Sequence, residues 1–320
     1  MPIPRLLVAG QSSGVGKTTI TAGLITALRK RGLAVQPFKC GPDYIDPTYL
    51  TAAAGRPCRN LDTWMLTAEQ MIASFDRACM GADTAIIEGV MGLYDGATYT
   101  EETGSAAHVA KLLGATVLLV LDVSKLGRSA GALALGYRKF DPSLRLGAFL
   151  LNRAGSDSHG RGCAQAITQA TGLPVLGWLP KQSNLHVPER HLGLVPIGER
   201  AGLEGFIQAA GEVIETWYQV DDLVRIARDG CEYRSTEQVE PTKMDRDKQS
   251  AWLLRRHDKD DPRLDGYSCG NLLASYLHVH FAQRPALARR FVVKLERVYA
   301  STHSTASTRD TVPPGHMDGP

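Results

Sequence analysis

Several features that mark common protein classes are missing from this chain of 320 residues. No apolar run approaches the length of about 18 residues that crosses a membrane, and the first residues lead into a predicted strand without the apolar core of a secretory signal. The six cysteines include no Cys-x-x-Cys pair, which argues against a disulfide framework and a zinc site. A formal charge of +3 gives no reason to expect nucleic acid or a membrane surface as a partner. We therefore expect a cytoplasmic protein with reduced thiols.

The chain does contain short apolar runs that alternate with helical patterns, as in an α/β enzyme. Short apolar runs predict strands at Ile3–Ala9, Leu33–Phe38, Thr84–Ile87, Thr116–Leu121, Leu146–Leu151 and Val175–Leu179. Helical patterns between them cover Ala68–Met80, Ser105–Leu113, Ala130–Lys139 and Gly162–Thr171. Strands that are apolar throughout indicate a sheet covered on both faces. The pattern predicts a doubly wound, mostly parallel sheet with ligands at the carboxyl ends of its strands.

A glycine-rich stretch follows the first predicted strand and opens an amphipathic segment that reaches Arg31. A strand before it, Gly-Lys-Thr at its end and a helix after it are typical of a P-loop, whose backbone N–H groups hold phosphate. Lys17 is expected to contact the β and γ phosphates of a nucleoside triphosphate, and Thr18 to hold magnesium. The strict motif has glycine where this chain has Gln11. The predicted phosphate-binding residues are Gly10, Ser12, Ser13, Gly14, Val15, Gly16, Lys17, Thr18 and Thr19.

Carboxylates are expected near this loop, because magnesium prefers oxygen ligands. Glu88 follows the strand predicted at Thr84–Ile87, and Asp95 lies just beyond it in GVMGLYDG. An acid at the carboxyl end of such a strand faces the ligand crevice, so Glu88 is a predicted magnesium ligand. Asp122, at the end of VLLVLD, is a rival on the same grounds, although it could equally cap the helical segment that follows.

A second cluster stands in PFKCGPDYIDP, which places Lys39 at the end of the second strand and Asp43 and Asp46 in the loop after it. A lysine there can neutralise a substrate carboxylate or a transferring phosphoryl group. The two acids can orient metal or substrate, or they can simply form turns, because each adjoins a proline. Asn152, after the strand LGAFLL, could read a base edge or cap the strand end.

These motifs, in their order along the chain, resemble the cobyrinic acid a,c-diamide synthases. The resemblance rests on PFKCGPDYIDP, RNLD, IEGVMGLYDG, FDPSLRLGAFLLNR and VPERHLGL, and runs from about residue 3 to residue 226. The ATP-binding domain of that family resembles dethiobiotin synthetase, which accounts for the offset glycine. The resemblance implies a magnesium-dependent ligase of cobalamin biosynthesis. It would use ATP to activate the a and c carboxylates of cobyrinate as acyl phosphates, which ammonia from glutamine then converts to amides.

The resemblance also implies roles for single residues. Lys17 and Thr18 would hold phosphates and magnesium, with Asp46 and Glu88 as further metal ligands. The phosphoryl and carboxylate site would be lined by Lys39, Asp43, Asp46, Glu88 and Asp95. Asn152 and the loop residues Glu189, Arg190 and His191 would lie on the adenine side or close the domain. A homodimer is implied as well, because relatives of this ATP-binding domain pair across their active sites.

The chain changes character after the predicted ATP-binding amide synthetase domain, residues 1–227. Residues 228–264 form a mixed-charge stretch without predicted strands, which indicates a linker or a deletion junction. Residues 265–300 resemble the extreme end of a glutamine amidotransferase domain, with His278 at its catalytic histidine, and residues 301–320 are predicted to be disordered. The nucleophilic cysteine of that domain is not visible. We therefore expect no glutamine hydrolysis, and slow amidation from ammonia.

Three alternatives remain at this point. The same chemistry could act on hydrogenobyrinate or nickel sirohydrochlorin. The chain could be a nucleotide-switched P-loop ATPase that serves as a binding module, although partition-type proteins carry an additional lysine early in the phosphate loop and residues 10–15 contain none. It could also be a non-functional, truncated product of a rearranged gene.

Overall fold

The computed structural model describes residues 3–181 and 200–229 and the backbone of four short strands between residues 253 and 274. The chain divides into two compact units, Met1–Glu240 and Pro241–Pro320. The strands described in the first unit are β1 (Arg5–Gly10), β2 (Val35–Cys40), β3 (Arg59–Leu61), β4 (Thr84–Glu88), β5 (Thr116–Asp122), β6 (Leu146–Ala154) and β7 (Val175–Pro180). The helices are α1 (Lys17–Lys30), α2 (Asp46–Ala54), α3 (Ala68–Ala78), α4 (Ala106–Leu113), α5 (Ser129–Phe140), α6 (Asp157–Thr171), α7 (Arg200–Trp217) and α8 (Val220–Asp229).

The seven strands form one sheet in the order β3-β2-β4-β1-β5-β6-β7, and every neighbouring pair is parallel. Leu6 and Val8 of β1 pack in a core cluster with residues of α1, α2, α7 and α8. Leu7 between them is also fully buried, and successive strand side chains point to opposite faces, so both faces of the sheet are covered. The predicted doubly wound parallel sheet is confirmed.

The sheet order brings the candidate ligand-binding residues together at the carboxyl ends of its central strands. The chain leaves β1 and enters β2 across β4, so strand order reverses beside β1, and a crevice opens there at the carboxyl ends of parallel strands. The P-loop follows β1, Lys39 lies near the end of β2, and Glu88 ends β4. Register pairs Lys39 with Glu88 across the ladder between β2 and β4. The crevice therefore collects side chains that are far apart in sequence.

Local structure differs from the sequence prediction at several points. The prediction of Asp46 in a loop is wrong, because Asp46 is the first residue of α2 and Pro47 occupies the first turn, where its missing N–H is not needed. Helix α6 begins at Asp157, well before the predicted Gly162, because the Ser156 hydroxyl accepts from His159 N–H and caps it. No prediction covered β3, α2, α7 or α8.

The second unit contains two antiparallel pairs of short strands. One joins β8 (Leu253–Leu254) to β9 (Arg263–Leu264), and the other joins β10 (Tyr267–Cys269) to β11 (Leu272–Ala274). The expectation that residues 228–264 lack strands is wrong at β8 and β9. The domain boundaries themselves stay predictions, and residues 301–320 lie outside the described residues.

Two further observations concern the described residues alone. Four cysteines, Cys40, Cys58, Cys79 and Cys163, are free thiols. No helix in the described part of the chain has both the length and the apolar composition needed to cross a membrane.

Candidate active site

The loop between β1 and α1 has the backbone of a phosphate cradle. Gly14 and Gly16 adopt φ angles of 75° and 96°, which favour glycine, and Gly16 is the N-cap of α1. A Cβ at position 16 would lie 2.3 Å from Nδ2 of Asn152, so a side chain there would displace the end of β6. No side chain among the described residues caps α1. The first N–H groups of α1 are therefore available to an anion, and the helix dipole favours one.

The offset glycine has a structural cause. A Cβ on Gly10 would lie 2.6 Å from Cγ2 of Val15, so this position must remain glycine for the loop to close. Gln11, where the strict motif has glycine, fastens the loop instead. Its N–H donates to Val120 O (3.1 Å), its Oε1 accepts from Asp122 N–H (3.2 Å), and its carbonyl accepts from the Tyr137 hydroxyl (2.7 Å). Gln11 thus ties the P-loop to β5 and α5.

The Lys17 ammonium lies across the loop where phosphate would sit. It donates to the carbonyls of Ser12 (2.9 Å) and Met91 (2.6 Å). Met91 adopts a left-handed φ of 45°, which is uncommon for a residue with a side chain. Burial, and then the nearby Lys39 ammonium, lower the pKa of Lys17. An anion at this position would relieve both effects.

Lys39 is the centre of a buried charged cluster. Its Nζ lies 2.8 Å from Glu88 Oε1, 2.7 Å from Asp46 Oδ2 and 3.8 Å from Asp43 Oδ2. The Thr18 hydroxyl donates to the same Oε1 of Glu88 (2.8 Å). The cluster therefore joins the P-loop helix to the ends of β2 and β4, and brings together most of the residues predicted to activate a carboxylate.

Burial and neighbouring charges oppose each other in this cluster. Burial acts to lower the pKa of Lys39, but the carboxylates of Glu88 and Asp46 outweigh it, and the net pKa is raised above that of an ordinary lysine. Burial raises the pKa of the fully buried Glu88 carboxyl despite the adjacent Lys39. Lys39 is consequently a fixed positive charge at neutral pH.

The donor set around Glu88 fits a magnesium ion. Oε2 of Glu88 is buried and has no hydrogen-bond partner among the described residues, and the Thr18 hydroxyl is next to the same carboxylate. Across residues 3–181 and 200–229 no group of three His, Cys, Asp or Glu side chains forms a metal cage. Magnesium usually takes one or two protein oxygens and completes its shell with phosphate and water, so a sparse site of this kind suits it.

A cavity of about 620 Å³ extends from this cluster past the P-loop toward β6 and β7. Asn152 and Arg153 line it, and the Asn152 amide donates to Val15 O (2.8 Å). Arg153, with a φ of 58°, donates to Gly14 O (2.9 Å) and to Asp122 Oδ2 (2.5 Å). The full lining is Ser13, Gly14, Gly16, Lys17, Thr18, Thr19, Lys39, Asp43, Asp46, Glu88, Val90, Met91, Asn152, Arg153, Leu179, Pro180 and Lys181.

Some predicted residues lie elsewhere. The Asp95 carboxylate accepts from Gly92 N–H (2.8 Å) and supports the turn after β4, outside the cavity lining, and its catalytic role stays a prediction. The rival acid Asp122 accepts from Ser124 N–H (2.9 Å) as well as from Arg153, which makes it a turn and loop residue rather than the N-cap of α5. The predicted residues Glu189, Arg190, His191 and His278 lie outside the described residues.

Sequence reasoning missed several groups that form this site. Met91 contributes a backbone carbonyl that accepts from Lys17, and a backbone contact of this kind cannot be predicted from a side-chain pattern. Tyr137 reaches the P-loop from α5, far away in sequence, and Lys181 enters the cavity after β7. Arg153 could have been found, because it directly follows Asn152 at a strand end.

Two curated proteins of similar sequence are both a,c-diamide synthases of corrinoid precursors. The chain is 46% identical over 228 residues to a cobyrinate a,c-diamide synthase of Dehalococcoides mccartyi strain CBDB1, covering 71% of this chain and 49% of that protein. It is 45% identical over 227 residues to a hydrogenobyrinate a,c-diamide synthase of Streptomyces coelicolor, covering 71% of this chain and 46% of that protein. The chain thus spans about half the length of the curated relatives it matches.

Similarity to solved structures is remote. A structure of chloroplast FtsY from Physcomitrella patens aligns with a TM-score of 0.40 and 21% identity over 66% of each chain, and adds nothing to the sheet order described above. The family model of the CobQ/CobB/MinD/ParA nucleotide binding domain, in contrast, matches residues 6–195, which is more than half of the chain. That range contains the P-loop, Lys39, Glu88 and Asn152. The chain therefore belongs to the CobQ/CobB/MinD/ParA nucleotide-binding domain family.

Proposed function

We propose that this chain is the ATP-dependent part of an amide ligase that acts on the a and c carboxylates of cobyrinate in cobalamin biosynthesis. The observation that carries the proposal is the buried Lys39 ammonium, held by Asp46 and Glu88 in the same cavity as the P-loop lysine, Lys17. A P-loop alone serves many reactions. A second fixed cation beside it suits a phosphoryl transfer between two anions. The names of the two synthases at about 45% identity support the corrinoid as substrate.

The P-loop would bind the phosphates of ATP. The left-handed Gly14 and Gly16 leave the backbone N–H groups at the start of α1 open toward the cavity. Lys17 would exchange the carbonyls of Ser12 and Met91 for phosphate oxygens. The cavity as a whole, about 620 Å³, is within the range of roughly 300–1,000 Å³ that is usual for small-molecule sites.

Magnesium would be held by Thr18 and Glu88, with Asp46 as a further candidate ligand. The unpartnered Oε2 of Glu88 supports this assignment. When bound, magnesium would draw charge from the phosphate oxygens and promote their transfer. The Thr18 hydroxyl and the Glu88 carboxylate would hold the ion at the same carboxylate that Lys39 contacts.

Lys39 would bring the substrate carboxylate to the phosphate. Two anions repel each other, and a buried ammonium that cannot lose its proton at neutral pH offsets that repulsion. A carboxylate oxygen then attacks the γ phosphorus, the bond to the β–γ bridging oxygen breaks, and ADP leaves. Ammonia adds to the acyl carbon, gives up a proton, and inorganic phosphate leaves to yield the amide.

The nitrogen donor and the cellular setting belong to the same proposal. We propose ammonia, free or released from glutamine, as the nucleophile at this site, because ammonia reacts with an acyl phosphate directly. A homodimer and a cytoplasmic location stay predictions, as does the lack of a nucleic-acid or membrane partner. The Streptomyces coelicolor relative favours a second candidate substrate, hydrogenobyrinate.

The test is phosphate release by the purified chain with ATP, magnesium, ammonium and cobyrinate, together with the mass of the product. We expect corrinoid-dependent phosphate release and a diamide product. The variant Lys17→Ala should lower kcat/KM by roughly 100-fold, since one preorganised charge of this kind contributes on that order. Lys30→Ala changes an exposed lysine on the same helix and is the matched control. A phosphate release rate that does not depend on the corrinoid, or an unchanged kcat/KM in Lys17→Ala, would contradict the proposal. The same assay with hydrogenobyrinate in place of cobyrinate shows which of the two is the substrate.

A further inference from the structure

We infer that the loop between β3 and α3 carries a docking surface for the flat apolar ring of the corrinoid, with Trp64 at its centre. This inference rests on the proposed function, and it adds a substrate contact outside the phosphate and carboxylate site. Trp64 is 59% exposed, whereas large apolar side chains are mostly buried. An exposed aromatic side chain on a loop at the carboxyl ends of the strands is a candidate for ligand contact.

The backbone that presents Trp64 is held in place. Asp62 is nearly buried, and its Oδ1 accepts from the N–H groups of Trp64 (2.7 Å) and Met65 (3.1 Å). The Asp62 carbonyl accepts from Leu66 N–H (3.1 Å), which closes the turn before α3. Because the backbone is held and a tryptophan side chain has only two rotatable bonds, ordering this ring on binding costs little conformational entropy.

The sheet places this loop next to the carboxylate site. Strand β3 pairs with β2, where Asn60 lies opposite Lys39, so the two chain segments are about 4.8 Å apart. The Asn60 amide donates to the carbonyls of Gly41 (2.8 Å) and Asp43 (2.6 Å). The Trp64 loop is therefore fastened to the loop that carries Asp43. The Trp64 loop and the Lys39 cluster therefore follow neighbouring strands at the same end of the sheet.

The other side of the loop is tied to the segment after β4. The Thr63 hydroxyl accepts from Gly104 N–H (2.8 Å) and lies 3.1 Å from Nδ1 of His108. The exposed large apolar side chains in these three connected loops are Tyr44, Trp64, Met91 and Tyr99. Exposed apolar side chains on loops that flank a polar cluster are candidates for ligand contact.

The occupant follows from the order of strands along the edge. The P-loop follows β1 at the middle of the sheet, and Asn152, Arg153 and Lys181 line the cavity on the β6 and β7 side. Nucleotide therefore takes one side of Lys39. The loop that carries Trp64 follows β3, beyond β2, so the inferred ring site lies on the side of Lys39 away from the nucleotide. An aromatic platform beside a carboxylate-binding lysine matches a substrate that is an apolar ring with carboxylate arms.

The test compares Trp64→Ala with Trp64→Phe. Cobyrinate affinity is measured by equilibrium dialysis without nucleotide, and kinetics by phosphate release at saturating ATP and ammonium. We expect Trp64→Ala to raise the Kd and the KM for cobyrinate roughly ten-fold, with kcat and the KM for ATP within about two-fold of wild type. Trp64→Phe should recover most of the loss. Met80→Ala, an exposed apolar side chain after the far end of α3, is the matched control and should change nothing.

The outcomes separate this inference from the proposed function. A folded Trp64→Ala with unchanged cobyrinate Kd and KM overturns the docking surface and leaves the proposed function intact. If the wild-type chain releases no phosphate with cobyrinate, the proposed function fails, and dialysis still decides the docking surface: ring binding lost in Trp64→Ala supports it, and no ring binding overturns it. Altered self-association with unchanged corrinoid affinity would make Trp64 a protein contact and also overturns it.

Discussion

At the scale of single residues, the site depends on how one buried cation is balanced. Lys39 is 3% exposed and meets two carboxylates, and one of them, Glu88, is completely buried. Such a cluster is not a source of stability by itself, because desolvation of the charges opposes their attraction. Under the proposed function, the cluster holds a positive charge beside the predicted phosphate site. The charge balance can therefore be tested separately from catalysis.

Replacing Lys39 by methionine should abolish corrinoid-dependent phosphate release and destabilise the fold by about 3 kcal/mol, because Glu88 is left buried without its partner. Glu88 in this variant has a pKa raised by burial, so the native state binds more protons than the unfolded state. The deficit should therefore shrink as the pH falls toward the ordinary glutamate pKa of about 4.3. Denaturant unfolding of both proteins at several pH values measures this.

The double variant Lys39→Met with Glu88→Gln is the control for that prediction. It should regain most of the stability and lose the pH dependence, while phosphate release stays absent. An equal deficit at all pH values, or no recovery in the double variant, would mean that the stem of Lys39 rather than its charge stabilises this part of the fold.

At the scale of elements, α5 acts on a loop that it does not adjoin in sequence. Tyr137 donates to the Gln11 carbonyl of the P-loop, and its ring stacks on Tyr94 at a centroid distance of 5.8 Å. Tyr94 in turn donates to the Tyr137 carbonyl and also contacts Phe140 (4.6 Å). The segment after β4 and the P-loop are thereby joined through α5.

Tyr137→Phe should weaken ATP binding by roughly five-fold, because a net contribution of about 1 kcal/mol from one hydrogen bond is lost from the loop. Burial raises the pKa of Tyr137, so the hydroxyl remains a donor throughout the neutral range. The matched control is Tyr94→Phe, which removes a hydroxyl of the same stack that does not reach the loop. Titration calorimetry with a non-hydrolysable ATP analogue measures both. Equal affinities for the two variants would show that Gln11 holds the loop without α5.

The elements that could be predicted were those with a strong local pattern. Apolar strands such as β4 and β5 were placed within a residue or two, because burial on both faces leaves a continuous apolar run. Strand β3 was not predicted, because it has only three residues and two of them are polar. Helix α2 escaped because its first residues, Asp46 and Pro47, also predict a turn, and only packing of Leu50 into the core decides between the two.

The candidate site divides in the same way. Lys39 and Glu88 could be predicted because each lies near the carboxyl end of a strand, and parallel strands bring those ends together. Lys17 could be predicted from the P-loop motif, which ends where α1 begins. The contacts of Met91 and Gln11 could not, because tertiary structure sets the direction of the Met91 carbonyl and brings β5 and α5 to both the backbone and the side chain of Gln11. The preference of this chain for Gly10 over the strict motif position is likewise explained only by its approach to Val15.

At the scale of the whole molecule, every described residue of the cavity belongs to the first compact unit, Met1–Glu240. Carboxylate activation should therefore need that unit alone, whereas glutamine hydrolysis is predicted to need the nucleophilic cysteine of an amidotransferase domain. The two half-reactions can be separated by the nitrogen source, because ammonia reaches an acyl phosphate directly and glutamine must first be hydrolysed.

The chain is expected to form amide with ammonium chloride and to release no glutamate from glutamine under the same conditions. A variant that ends at Glu240 should give the same ammonium-dependent rate within about two-fold, because it keeps the seven-stranded sheet and all cavity residues described above. Coupled assays for glutamate and phosphate, with amide formation followed by mass, measure both chains side by side. Glutamate release from the full chain would show that residues after 240 hydrolyse glutamine after all. A large loss of the ammonium-dependent rate in the shorter chain would show that carboxylate activation depends on them.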